Sequence, residues 1–200
     1  MKITIVYDNQ AHPGLKSGWG FSALIEHGEN LLFDTGPSGS DLVFNMRRLN
    51  IDVAAIDKII ISHEHWDHVG GLETLTQMNK NARVFKPDSC SELMQLAAGV
   101  YSTGPLGTSP REQSVIVKLP KGSVVITGCA HPGLDNILER AGALGKVYGV
   151  VGGFHGFSRL EKLNGIELIA PCHCTKQTEQ IRQRYPRQFR TVRTGSTIEL

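Results

Sequence analysis

"KIIISHEHWDH", residues 58–68, decides how the rest of the chain is read. Ile59 to Ile61 form a short continuous apolar run, the pattern of a strand buried on both faces. Directly after it come three histidines, a glutamate and an aspartate, while the other five of the chain's eight histidines are scattered. In extended chain, residues i and i+2 point to the same side, so His63 and His65 are predicted to aim both imidazoles at one point. Asp67 and His68 follow where Gly70 and Gly71 let the chain turn towards the next helix. The four groups can then divide between two neighbouring positions. Imidazole and carboxylate are ordinary ligands of zinc, iron or manganese. The alternative is a surface histidine cluster, but the pattern is denser than the composition would produce.

One segment does not fill a metal's coordination sphere, and the same grammar recurs. "VVITGCAHPG" delivers His131, "YGVVGGFHG" delivers His155 and "ELIAPCHCT" delivers His173. Each is an apolar strand that ends in small residues or Pro and then presents a histidine. Any one of them alone reads as a structural histidine. Three at successive strand ends point to the edge of an α/β sheet where ligands collect. Cys172 and Cys174 alternate around His173, so an extended segment is expected to turn both away from it. They then read as small buried hydrophobes.

The bulk properties bound the answer. Two hundred residues, 40% hydrophobic and 20% charged, are expected to form one globular domain over residues 1–200. A net charge of +2 gives no case for nucleic acid or an anionic membrane. The basic stretch from Lys176 to Arg193 is read as a solvated face, since its arginines need not share one side. No apolar run approaches the roughly 18 residues of a membrane span, and "MKITIVYDNQ" does not read as a signal peptide. The expected setting is the cytoplasm, with Cys90, Cys129, Cys172 and Cys174 as thiols or ligands.

Along the chain, "KITIVY", "GFSALIE", "NLLFD", "KIIIS" and "RVFK" read as strands. Residues 40–50 are predicted helical, capped by Ser40 or Asp41. Residues 70–78 and 89–98 also read as helices, and 99–113 as a long loop rich in Gly and Pro. Strand–helix alternation follows: strands at 123–127, 147–153, 166–171 and 196–200, and helices at 134–144, 158–163 and 175–185. Early strands in meander order, then alternation, predict an α/β layered sandwich.

The run His63-x-His65-x-Asp67-His68, preceded by "LLFDTG" at 31–36, resembles the metallo-β-lactamase superfamily. Asp8-Asn9, "GFSALIE", "ISHEHWDHVGGL", "GCAHPG", "GGFH" and "PCHCT" occur in an order similar to one branch, named for 7,8-dihydropterin-6-methyl-4-(β-D-ribofuranosyl)-aminobenzene-5′-phosphate synthase. The resemblance implies an αββα four-layer sandwich with a mono- or dinuclear metal site. It implies His63, His65 and His131 on one metal, and Asp67, His68 and His173 on the other, with zinc expected and manganese or iron as alternatives. Asp34 either orients a ligand or merely forms the turn before Gly36. The chain departs from the pattern where many dinuclear members place a bridging Gly-Asp; here those strand ends carry Cys129 and His155, either of which is a candidate replacement. Diiron relatives carry His-x-Glu where this chain has His65, so oxygen reduction is not expected.

A metal-bound water falls in pKa from 15.7 towards about 7, which fits hydrolysis of a phosphate ester or related small anion. Asp67 would be ligand and proton acceptor, and His155 would protonate the leaving group or hold an anion. Two alternatives stand beside the hydrolase. One is a transferase joining a pterin methyl diphosphate to ribofuranosyl-aminobenzene phosphate, for which Trp19, Trp66, Phe154 and Phe157 offer aromatic faces. The other is a non-catalytic metal-binding module.

Overall fold

The computed structural model describes residues 1–200. Its contacts divide the chain into two compact units, Met1–Lys86 with Val192–Leu200, and Pro87–Thr191.

The first unit is built on a six-stranded sheet. Strands β1 (Lys2–Tyr7), β2 (Ser22–His27), β3 (Glu29–Phe33), β4 (Lys58–Ile60) and β5 (Arg83–Phe85) lie in sequence order, and β12 (Thr197–Glu199) pairs with the outer edge of β1. Pairing is antiparallel from β12 to β3 and parallel from β3 to β5. Helices α1 (Gly39–Arg48), α2 (Trp66–Val69) and α3 (Leu72–Met78) complete it. Leu42 and Met46 of α1 and Leu75 of α3 pack with Val6, Leu32 and Ile59 of the sheet. The cap of α1 is Ser38, whose hydroxyl accepts from the Asp41 amide, rather than Ser40 or Asp41. The cap thus lies two residues before the first of the two expected positions.

The second unit mirrors this plan. Strands β6 (Met94–Ala97), β7 (Val100–Ser102), β8 (Val115–Val117), β9 (Ser123–Thr127), β10 (Val147–Gly153) and β11 (Leu168–Cys172) form a sheet in sequence order. Here β6 to β9 are antiparallel and β9 to β11 parallel. Helices α4 (Leu134–Gly142) and α5 (Thr178–Arg184) bury Leu134, Ile137 and Ile181 against Val125, Val150 and Ile169. Three expectations are corrected. Residues 89–98 carry good helix formers yet hold an edge strand, because Gly99 turns Met94–Ala97 back onto Val100–Ser102. Residues 99–113 contain β7 and are closed by paired backbone bonds between Leu106 and Glu112. Residues 158–163 tighten into a 3-10 turn over Leu160–Leu163.

The position of "HEHWDHVGG" follows from a close backbone approach. The Thr35 amide and hydroxyl both donate to the His68 carbonyl, at 2.8 and 2.9 Å, and the Phe21 amide donates to that of Asp67 at 3.2 Å. A Cβ on Gly70 would lie 2.1 Å from the Pro37 carbonyl oxygen, and one on Gly71 2.4 Å from that of Thr35. Backbone cannot swing aside as a side chain can, so glycine is the residue that lets the two loops touch. Gly70→Ala is expected to cost about 1–3 kcal/mol or more in chemical denaturation, as overpacking does. Gly142→Ala, with open space around it, is the matched control and should be neutral or mildly stabilising.

Candidate metal centre

In the first unit the site is organised by one carboxylate. Asp34 follows β3 in a left-handed conformation (φ 58°) and is fully buried. Its Oδ1 accepts the Ser62 amide at 2.6 Å; its Oδ2 accepts the Ser62 hydroxyl at 2.7 Å and faces His68 Nδ1 at 2.7 Å. Burial pushes the carboxyl up from its ordinary range, while His68 and Ser62 pull it back down. An ionised carboxylate is acceptor-only, and three donors around it favour that form. Asp34 therefore does both things read from its sequence: it makes the turn and it orients His68.

Tautomers follow by hydrogen-bond logic. His68 gives its Nδ1 proton to Asp34, which leaves the lone pair on Nε2. The single Ser62 hydroxyl proton goes to Asp34, so the 2.9 Å contact between Ser62 Oγ and His63 Nδ1 has the histidine as donor. His63 too then keeps its lone pair on Nε2. The His63 ring centroid lies 4.5 Å from that of His65 and 4.2 Å from that of His68. Asp67 Oδ2 lies 3.5 Å from His68 Nε2. The means differ from expectation in one respect: β4 ends at Ile60, and His65 is the residue that precedes α2 rather than part of the strand. Asp67 and His68 are therefore aimed by the first turn of a helix. Glu64 points elsewhere and pairs with Lys86 at 2.7 Å.

The second unit repeats the device with a residue that sequence reasoning does not single out. Glu112, from the closed loop before β8, is 1% exposed. Its Oε1 accepts the amides of Cys129 and Ala130 at 2.9 and 2.8 Å; its Oε2 accepts the His131 amide at 2.9 Å and faces His131 Nδ1 at 2.8 Å. The carboxylate thus holds the turn after β9 and sets the His131 tautomer, again leaving the lone pair on Nε2. A lone Glu between Gly- and Pro-rich residues looks like a solvated loop residue, and no local pattern marks it.

His131, His155 and His173 follow the C-terminal ends of β9, β10 and β11, three adjacent parallel strands. His155 and His173 are both left-handed, at φ 47° and 49°, as is Ala130 at 57°. Non-glycine residues held there cost free energy and gather at functional sites. The His155 ring centroid is 5.2 Å from that of His131. Burial holds its pKa below the ordinary histidine range, reinforced by His131 and Lys176 and opposed by Glu112. Beside this pair opens a cleft of about 370 Å³, lined by Leu134, Asp135, Phe157 and Arg159 among others. The bend at His173 also overturns the strand-alternation reading of its neighbours: Cys174 returns towards His173, and one donor atom each of Cys129, His173 and Cys174 lies within 4.8 Å of the others. Of the four aromatics considered as substrate faces, Phe154 and Phe157 are buried, while Trp19 and Trp66 are 54% and 64% exposed.

Each unit carries donors oriented by a buried carboxylate, an arrangement that fits the chemistry of metal binding. Comparison with known proteins agrees. Residues 20–105 match the model of the metallo-beta-lactamase superfamily. The crystal structure of Tm1679, a metal-dependent hydrolase of the beta-lactamase superfamily, superposes with a TM-score of 0.83 at 25% identity, covering 100% of this chain and 99% of that one. The chain is a metallo-β-lactamase-fold protein of the α/β class, and the resemblance read from its motifs is borne out. In sequence it is similar to 7,8-dihydropterin-6-methyl-4-(beta-D-ribofuranosyl)-aminobenzene-5'-phosphate synthase of Methanocaldococcus jannaschii, at 24% identity over 90% of this chain and 89% of the relative. An uncharacterized protein of the same organism is 28% identical over 86% of this chain and 90% of its own length. No helix is long and apolar enough to cross a membrane.

Glu112→Gln keeps the shape but replaces one acceptor oxygen with a donor group, so some of the four N–H groups lose their partner. Affinity for zinc, measured by competition with a chromophoric chelator, should fall about 10–100-fold. Unchanged affinity would show that Glu112 serves only the turn.

Proposed function

We propose that this chain is a metal-dependent hydrolase acting on a phosphate ester or a related small anionic substrate in the cytoplasm. His63, His65 and His131 would hold one ion, and Asp67, His68 and His173 a second, with zinc the metal favoured by the imidazole-rich set. One observation carries the reading. His63, His68 and His131 each hold Nδ1 against an oxygen anchored in the fold, which supports Nε2 as the atom each would offer a metal.

A bound divalent ion supplies an acidified water and neutralises charge on the substrate. The chain's residues do the remaining work. Asp34 and Glu112 keep the imidazoles from rotating, and Asp67 accepts a proton from the attacking water. Next to His131, His155 is depressed in pKa and so largely neutral near pH 7. From there it can shuttle a proton to the leaving oxygen or donate Nδ1–H or Nε2–H to an anion. The cleft beside it gives the substrate's non-reacting part a place to lie.

A transferase is the second reading, favoured by similarity to the synthase along almost the full length of both chains. In that case the same ligands would steady a departing diphosphate. Treatment with a chelator should abolish hydrolysis of bis(p-nitrophenyl) phosphate, and added zinc should restore it. His63→Ala and Asp67→Ala should lose at least about 100-fold in kcat, more than loss of a merely orienting partner costs, with an unchanged circular dichroism spectrum. His155→Ala should lose about 10²–10⁴-fold in kcat while keeping its metal. A full complement of metal with no turnover of any phosphoester would reject the hydrolase, leaving the transferase or a binding module.

A further inference from the structure

Cys129, His173 and Cys174 form a second kind of donor set that the family pattern does not call for. All three are buried, at 4%, 8% and 7% exposure. One donor atom of each, two sulfurs and one nitrogen, lies within 4.8 Å of the others. Donors sharing a tetrahedral zinc, with Zn–S near 2.3 Å and Zn–N near 2.0 Å, sit roughly 3.5–4 Å apart. The three are therefore within about an ångström of a coordinating arrangement.

The backbone is shaped around these sulfurs. His173 adopts φ 49°, which reverses the chain after β11 and brings Cys174 back over the strand ends. Gly153, at the end of β10, leaves the space that Cys174 fills: a Cβ there would lie 2.7 Å from Cys174 Sγ and 3.4 Å from Cys129 Cα. Cys174 Sγ lies 3.8 Å from the Cys129 carbonyl oxygen, so the two cysteines already meet. Simple space-filling would not require both thiols to converge on one imidazole.

We propose that Cys129 and Cys174 complete, with His173, a three-ligand zinc position with one open site, in place of the Asp67 and His68 ligation of that ion given above, and that this position favours zinc over manganese. The inference rests on the metal-centre reading through His173. Binding breaks the S–H bond of each thiol, forms a sulfur–metal bond with the thiolate electron pair, and releases one proton per cysteine to solvent. Soft thiolates favour zinc, whereas manganese prefers oxygen donors.

Cobalt(II) substitution of the whole chain reports the ligands without needing activity. The expected spectrum has visible d–d bands and, in the near ultraviolet, an intense sulfur-to-cobalt charge-transfer band. Cys129→Ser and Cys174→Ser should each remove about half of that band and reduce the preference for zinc over manganese roughly 10–100-fold. Cys90→Ser and Cys172→Ser should leave both unchanged. Visible bands without the charge-transfer band would overturn the thiolate ligation and leave the histidine centre standing. A band that survives both Cys129→Ser and Cys174→Ser would also overturn it. Absence of any cobalt spectrum would remove the metal-centre reading itself. The wild-type spectrum decides even where a variant fails to fold.

Discussion

A carboxylate can be buried only where donors surround it, and this protein devotes two such carboxylates to its histidines. Asp34 and Glu112 are each almost inaccessible; Asp34 accepts one backbone amide, a hydroxyl and an imidazole Nδ1, and Glu112 accepts three backbone amides and an imidazole Nδ1. Removing either leaves buried N–H or O–H groups without an acceptor, at about 1–3 kcal/mol apiece. The same bonds that stabilise the two loops therefore fix the tautomer and angle of His68 and His131. Ring orientation is set by folding, so the imidazoles are in place before any ligand arrives.

Each unit uses its sheet to the same end. Strands with parallel neighbours release their chains at one edge, and the residues just beyond, Asp34, Ala130, His155 and His173, are left-handed. Such conformations hold a side chain at an angle that a continuing strand would not allow. The close packing of Gly70 and Gly71 on the 35–37 backbone does comparable work for Asp67 and His68. Local strain and close approach are concentrated beside the candidate ligands, and the helices and outer strands offset the cost.

Much of this is legible in the sequence. The dense run at 63–68 and the three later strand-end histidines mark the site, because imidazole and carboxylate at i, i+2 and i+4 after an apolar run form a ligand spacing that neither a packed core nor a solvated face requires. Glu112 is invisible there, since its role arises from a long loop folding back on the turn after β9, a contact of 17–19 residues' separation. The strand at Met94–Ala97 reads as helix because its residues favour that state, and only sheet pairing reverses the preference. Alternation places Cys174 away from His173, but alternation holds only while the chain stays extended, and His173 ends it.

The most direct measurement is the metal content per chain by elemental analysis, on protein purified without added metal. One or two equivalents of a transition metal, with zinc prevailing, is the expected result. Protein that carries no metal above background, and whose thermal stability is unaffected by zinc or by a chelator, would contradict the reading of the anchored histidines as metal ligands.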